Sequence, residues 1–266
     1  MKNSRKFMHI LYAFFKRRIL FLLCLVTLWE VIFRLEVFSP LLFPSVIDIL
    51  HSLVNGIRHQ SLLTRAFTSL TLIFYGILMG LGISLILMGL SRKNKVLNNI
   101  IKNLTIYLNP IPGMAIFPLG ILWFGLGRNA ILFAMLHSVV WGLLINLLAG
   151  LDSIPKIQRD VGKNMELSKL QMIINIDIPA CMPYIIAGTK AALARAWRTA
   201  ISAELVAGVV VNNEGLGWLM NRQRSMIDIP GLYSTLIIIM VVGIFLDGVV
   251  FGTIENLTVK KWGMMK

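Results

Sequence analysis

The chain has 266 residues, of which 57% are hydrophobic and 14% charged, and its mean hydropathy is +0.78. A water-soluble core cannot absorb so much apolar surface, because globular domains run near about 45–50% apolar and ~25% charged. The solvent is therefore a bilayer, and one membrane domain is the simplest organisation. The net charge of +14 would suggest nucleic acid in a soluble protein; here its placement along the chain gives it another meaning.

The sequence predicts an all-α membrane protein with six transmembrane helices, since a span needs ~20 mostly apolar residues. Residues 1–18 are a basic N-terminus, and the apolar run after them lacks a small-residue cleavage site, so it reads as an uncleaved first span. The spans fall near 19–38, 67–90, 108–126, 130–150, 182–210 and 232–254 of one transmembrane domain, 19–259, with a tail at 260–266. Glu30, Arg34 and Glu36 read as a local ion-pair group near the outer end of the first span. Pro40 and Pro44 then stop that helix, and SPLLFPSVIDILHSL starts an amphipathic helix at the outer interface.

The third span carries Pro110, Pro112 and Pro118 and is expected to be kinked or broken inside the bundle. Asn109, beside Pro110, either caps a helix end or lines a cavity there. His137 stands alone in the fourth span and reads as a packed histidine, because no second His, Cys or carboxylate has metal-ligand spacing. Cys24 and Cys181 share no motif and read as structural thiols. EGLGWLM at 214–220 supplies glycines for a turn before a short outer helix.

Alternating the spans from an inner N-terminus gives a charge test. The inner segments 1–18, 91–103, 151–181 and 260–266 hold 17 Lys and Arg, whereas the outer segments 39–66, 127–129 and 211–230 hold 5. Lys and Arg accumulate on the cytoplasmic side, so both termini are placed inside. That distribution accounts for most of the basic excess without nucleic acid.

Four charges sit in the fifth span: Lys190, Arg195, Arg198 and Glu204. A charge at the bilayer centre costs roughly 2.5–3.5 kcal/mol on insertion scales, so these side chains should face protein or water. Lys190 is close enough to the inner end to snorkel. Arg195 and Arg198, three apart, either line a path for an anion or pair with Glu204, Glu30 or Asp247 to hold the fold. Trp197 is either packing or gate.

The inner segment 155–181 contains DVGKNMELSKLQMIINIDIP. Asp160 to Leu170 suits a short helix with Asp160 in its N-terminal turn, and Met165, Leu167 and Leu170 form an apolar patch on it. This segment resembles the E-A-A loop of bacterial ABC importer permeases, with Asp160, Val161 and Gly162 at the E-A-A positions. IDIP, ending at Pro179, stands at the I-x-L-P element. LLFPSVIDIL, NPIPGMAIFPLGILWFGLG, GTKAALARAWRTAISAEL and EGLGWLM extend the resemblance over most of the chain, toward the nitrate, sulfonate and taurine branch. The family's loop glycine falls at Glu166. Glutamate does not readily take a positive φ, so either a more continuous helix or a displaced turn is expected there.

The resemblance implies a type I ABC importer permease fold in the bacterial cytoplasmic (inner) membrane, working as a dimer with a second, often identical copy. It implies docking of Asp160, Val161, Gly162, Lys163, Met165, Glu166, Leu167, Ser168 and Pro179 against two ATPase subunits. An extracytoplasmic solute-binding protein would deliver the cargo: a small anion such as sulfonate, taurine or nitrate, or alternatively a thiamine-precursor pyrimidine or other heterocycle. ATP and Mg belong to the partner ATPase, because this chain has no GxxxxGK[ST] loop. It also has no nucleophile–base pair, paired catalytic carboxylates, metal site or cofactor motif, so no enzyme activity is expected. An ATPase-independent transporter or channel would need inverted repeats or a carboxylate relay, and neither is evident.

Overall fold

The computed structural model describes residues 20–59, 62–207 and 215–251, and among them every regular element is a helix. In chain order these are α1 (20–34), α2 (Val46–His59), α3 (Leu62–Ser91), α4 (Lys95–Leu108), α5 (Gly113–Phe124), α6 (Arg128–Asp152) and α7 (Lys156–Asn164). After them come α8 (Lys169–Met172), a π turn at Ile173–Asp177, α9 (Ile178–Ala207), α10 (Leu216–Ser225) and α11 (Ile229–Phe245), the last followed by a π turn at Leu246–Phe251. The expected N-terminus 1–18 and tail 260–266 lie outside the described residues.

Among the described residues four helices are long and apolar enough to cross a membrane: Leu62–Ser91, Arg128–Asp152, Leu170–Ala207 and Ile229–Gly248. A fifth crossing comes from α4 and α5 taken together, which bend by 102° between them. The break expected at 108–126 is therefore present, and it lies at Asn109–Pro112. Two prolines remove N–H donors there and fix φ, while α5 tolerates Pro118 within its first two turns. The fifth span begins earlier than 182: α9 continues from the π turn straight through Pro179 and Pro183. Of the expected first span, residues 20–34 are helical.

The chain divides into two compact units. In the one holding α1, α2 and residues 223–236, Trp29 stacks on Phe43 at 4.0 Å, meets Tyr233 edge-on at 5.1 Å and donates its indole N–H to the Pro44 carbonyl. Glu30 accepts the Val46 N–H at 3.2 Å and pairs with Arg34 at 3.1 Å. Ser45 and Asp48 cap the start of α2, which is the expected amphipathic helix.

The other unit is built around α6, packed against α3, α5 and α9. Its buried stripe includes Ala134, Met135, Val139, Leu143, Leu144 and Leu147. Between membrane helices the hydrophobic effect gives little drive, so close van der Waals approach holds them together. Gly76 lies on Met135, Gly80 on Val139 and Gly188 on Asn146, where an added Cβ would collide with the facing side chain. Ser84 Oγ, 3.2 Å from the Val140 carbonyl, adds a hydrogen bond between α3 and α6.

Candidate coupling segment and intramembrane charges

Pro155, with φ −59°, opens α7, so that helix starts four residues before the expected position and Asp160 falls in its middle. Asp160 instead faces Lys163 at 3.7 Å on an exposed surface, a contact worth little in water. At the other end, Glu166 takes φ +54°. The continuous-helix and displaced-turn expectations are both corrected: the turn sits at Glu166 itself. The Leu167 N–H reaches the Gly162 carbonyl at 3.1 Å and the Glu166 N–H the Lys163 carbonyl at 2.9 Å. This paired closure of a helix C-terminus offsets the left-handed cost of roughly 1–2 kcal/mol for a residue with a Cβ. Ser168 then caps the next helix: its Oγ accepts from the Gln171 N–H and its own N–H donates to Gln171 Oε1. That S-x-x-Q capping box was legible in the sequence and was missed.

The helix–turn–helix folds back on itself because position 162 has no side chain. A Cβ there would run into Met172 Sδ and Ile176 Cδ1. Ile157, Val161 and Met165, four residues apart and 71%, 50% and 67% exposed, form an apolar ridge on the outer face of α7. The expected patch of Met165, Leu167 and Leu170 is thus enlarged, while Leu167 is half-buried. Val161, Met165, Leu167 and Pro179 line a cavity of about 570 Å³ beside the ridge.

Sequence reasoning also missed Asp177. It is fully buried at the end of the π turn and pairs with Arg92 Nη1 at 2.8 Å, just past the end of α3. Arg159 of α7 donates to the Leu151 carbonyl at 2.5 Å. A lone acid in the apolar run 170–189 was the available signal.

Deeper in the unit, α9 separates its charges. Lys190 pairs with Asp247 at 3.7 Å. Arg195 is half-buried and Arg198, three residues on, is exposed. Arg195 presses its guanidinium on Gly142 of α6, and its Nε and Nη2 are buried with no hydrogen-bond partner. Arg198 is exposed and its Nε donates to the Ala194 carbonyl. One helical turn from Arg195 and Gly142, Thr199 and Ser138 hydroxyls meet at 3.1 Å. Gly113, at the start of α5, lies against both. Asn109 is the C-cap of α4, its N–H bonded to the Thr105 carbonyl. Trp197 is buried and its indole lies by Gly243.

Glu204 pairs with neither arginine. It is 6% exposed, accepts from Ser69 Oγ at 2.8 Å and from the Gly217 N–H at 2.9 Å, and so caps the start of α10. Ser69 Oγ in turn accepts the Leu216 N–H at 3.0 Å. His137 packs near Trp141 with its ring nitrogens unbonded, and no group of three or more metal-ligating side chains occurs among the described residues.

Residues 73–252 match the family described as binding-protein-dependent transport system inner membrane component. Similar proteins include the taurine transport system permease protein TauC of Escherichia coli, 25% identical over 84% of this chain and 82% of that one. The bicarbonate transport system permease protein CmpB of Synechococcus elongatus is 30% identical over 73% and 68%. The nitrate import permease protein NrtB of the same species is 27% identical over 57% and 54%. With helices of membrane-crossing length and an exposed helix–turn–helix, the chain belongs to the binding-protein-dependent inner-membrane components of ABC transporters, in the branch of the taurine, bicarbonate and nitrate permeases.

Proposed function

We propose that this permease subunit carries a small anion inward, driven by ATPases that grip α7. The observation that carries the anion reading is Arg195, a guanidinium in the α6–α9 interface whose buried Nε and Nη2 have no protein acceptor. Guanidinium nitrogens buried without an acceptor are costly, and a passing anion relieves that cost. The solutes named for TauC, CmpB and NrtB support the same class. Hydroxyls of Ser138 and Thr199 stand one turn away as further donors.

On this reading the Ile157–Val161–Met165 ridge, the turn at Glu166 and the flanking Asp160, Gly162, Lys163, Leu167 and Ser168 enter a groove of the ATPase, which holds ATP and Mg. The subunit pairs with a second copy in the bacterial inner membrane, both termini cytoplasmic, and an extracytoplasmic binding protein presents the solute. Reconstitution with the partner ATPase and binding protein tests it: ATP-dependent uptake of radiolabelled nitrate, bicarbonate or taurine is expected, reduced about tenfold or more by Arg195→Gln, the loss of one charge-assisted contact. Uptake of a neutral pyrimidine alone, unaffected by Arg195→Gln, refutes the anion reading. Uptake without the ATPase refutes the driven mechanism.

A further inference from the structure

The inner end of the α3–α6–α9 bundle contains three charged side chains, two of them incompletely satisfied. Asp177 Oδ1 accepts from Arg92 Nη1 at 2.8 Å, but its buried Oδ2 has no hydrogen-bond partner. Arg159 spends Nη2 on the Leu151 carbonyl, while its buried Nε also has none. Arg159 belongs to α7, which packs on the π turn where Gly162 meets Ile176, the neighbour of Asp177, and its anchor Leu151 adjoins Gly150, which lies on Cys181, one helical turn from Asp177. The carboxylate is thus bonded to one guanidinium, and a second is carried by the helix packed on its π turn.

The placement of the three groups gives this a mechanical meaning. Arg92 follows α3, Arg159 rides on α7, and Asp177 closes the π turn Ile173–Asp177 that feeds α9. A π turn inside a helix is uncommon and concentrates at working sites, because it can be absorbed or extended by small shifts of register. Unsatisfied buried polar groups call for an explanation, and a carboxylate with a spare oxygen, next to a helix that carries a spare guanidinium donor, is suited to exchanging partners. Packed interfaces respond to displacement by jumping between such discrete arrangements.

We propose that Asp177 is a switchable joint. It is paired with Arg92 of the bundle when α7 sits as here, and passes to Arg159 when the ATPase displaces α7. The exchange frees the inner end of α9 from α3 and lets movement of the docked helix reach the rest of the bundle. Asp177, Arg92 and Arg159 are positioning residues: they touch no solute. This rests on the docking of α7 to an ATPase.

The test follows amide hydrogen exchange over 156–190 in the full chain assembled with its ATPase in lipid discs, nucleotide-free and trapped with ATP and orthovanadate. In the unaltered complex, trapping is expected to change exchange at 173–181 by about tenfold, a population shift of about 1.4 kcal/mol. In Asp177→Asn and in Arg159→Gln the ATPase still co-purifies and the α7 amides still respond, but the change at 173–181 falls below about twofold. Arg92→Gln gives fast exchange at 173–181 with or without nucleotide. A full response in Asp177→Asn or Arg159→Gln overturns the joint. If Asp177→Asn does not assemble, the swap Arg92→Asp with Asp177→Arg decides: recovery of assembly and of the nucleotide-free pattern supports the pair, and failure to recover overturns it. Failure of the unaltered chain to bind the ATPase removes the docking reading and the joint together, whereas a lost response with binding intact bears on the joint alone.

Discussion

Replacing Glu204 tests whether a buried carboxylate fastens α3, α9 and α10 together. Glu204→Ala removes the acceptor for Ser69 Oγ at 2.8 Å and for the Gly217 N–H at 2.9 Å, and both donors are buried. Hydrogen bonds to a charged group contribute about 1.5–3 kcal/mol each, and an orphaned buried donor costs about 1–3 kcal/mol. The two losses overlap, so the net effect expected is about 3–5 kcal/mol, the range for breaking a buried charged contact. The α10 N-terminus also loses the anion that complements its dipole. For a chain of this length roughly 2–4 °C follows each kcal/mol, so thermal unfolding in detergent, followed by fluorescence size exclusion, should shift down by roughly 6–20 °C. Glu204→Gln keeps the shape, lets one oxygen accept from Gly217 and lets the amide reach Ser69; its expected cost is about 1–2 kcal/mol. The Ser69→Ala and Glu204→Ala effects should be strongly non-additive, since the two residues share one network. An alanine variant that melts with the parent, or a glutamine variant as damaged as the alanine one, refutes the capping role. The second outcome would mean that the negative charge itself serves another partner.

Glu166→Gly should leave the helix–turn–helix intact and stabilise it by up to about 1 kcal/mol, the relief of φ +54° partly offset by glycine's backbone entropy; Glu166→Val should destabilise it, because a β-branched residue resists that conformation. Protease susceptibility of the 164–168 peptide bonds reads both, and a glycine variant cleaved faster than the parent contradicts the turn. Val161→Arg, placing a charge in the exposed ridge, should lower ATPase co-purification by about tenfold or more without altering membrane insertion, as loss of a central apolar anchor does at interfaces; unchanged pull-down would dissociate α7 from docking. Gly142→Ala should displace the Arg195 guanidinium, into which its Cβ would run, and slow ATP-dependent uptake more than it lowers thermal stability; a variant with full uptake would show that the position of Arg195 is irrelevant to transport.

Much of the architecture follows from local sequence. The apolar runs give the long helices, Pro44 and Ser45 give the start of α2, and Pro110 and Pro112 give the break before α5. What stayed hidden was long-range. Ser69 and Glu204 are 135 residues apart, and Arg92 and Asp177 are 85 apart; periodicity within one helix says nothing about either pair. The arginines of α9 show the limit differently: three-residue spacing made Arg195 and Arg198 neighbours, but packing of Gly142 against one and exposure of the other decided their environments. At Glu166 a residue preference lost to two backbone hydrogen bonds. The Ser168–Gln171 cap immediately downstream was the local signal that one helix ends and another begins there.

The elbow between α4 and α5 has a consequence for water. Gly113 lies against Ser138, ten residues into α6, which at 1.5 Å per residue is about 15 Å along that helix. The elbow thus sits at depth, and α5, twelve residues and about 18 Å long, is too short to cross a ~30 Å hydrocarbon layer by itself. Prolines 110 and 112 offer carbonyl oxygens and no N–H, and irregular backbone at such depth persists only inside protein or beside a wet cavity. The bend therefore leaves backbone carbonyls at depth that protein or water has to satisfy, a demand that a straight, proline-free helix in the same place would not make.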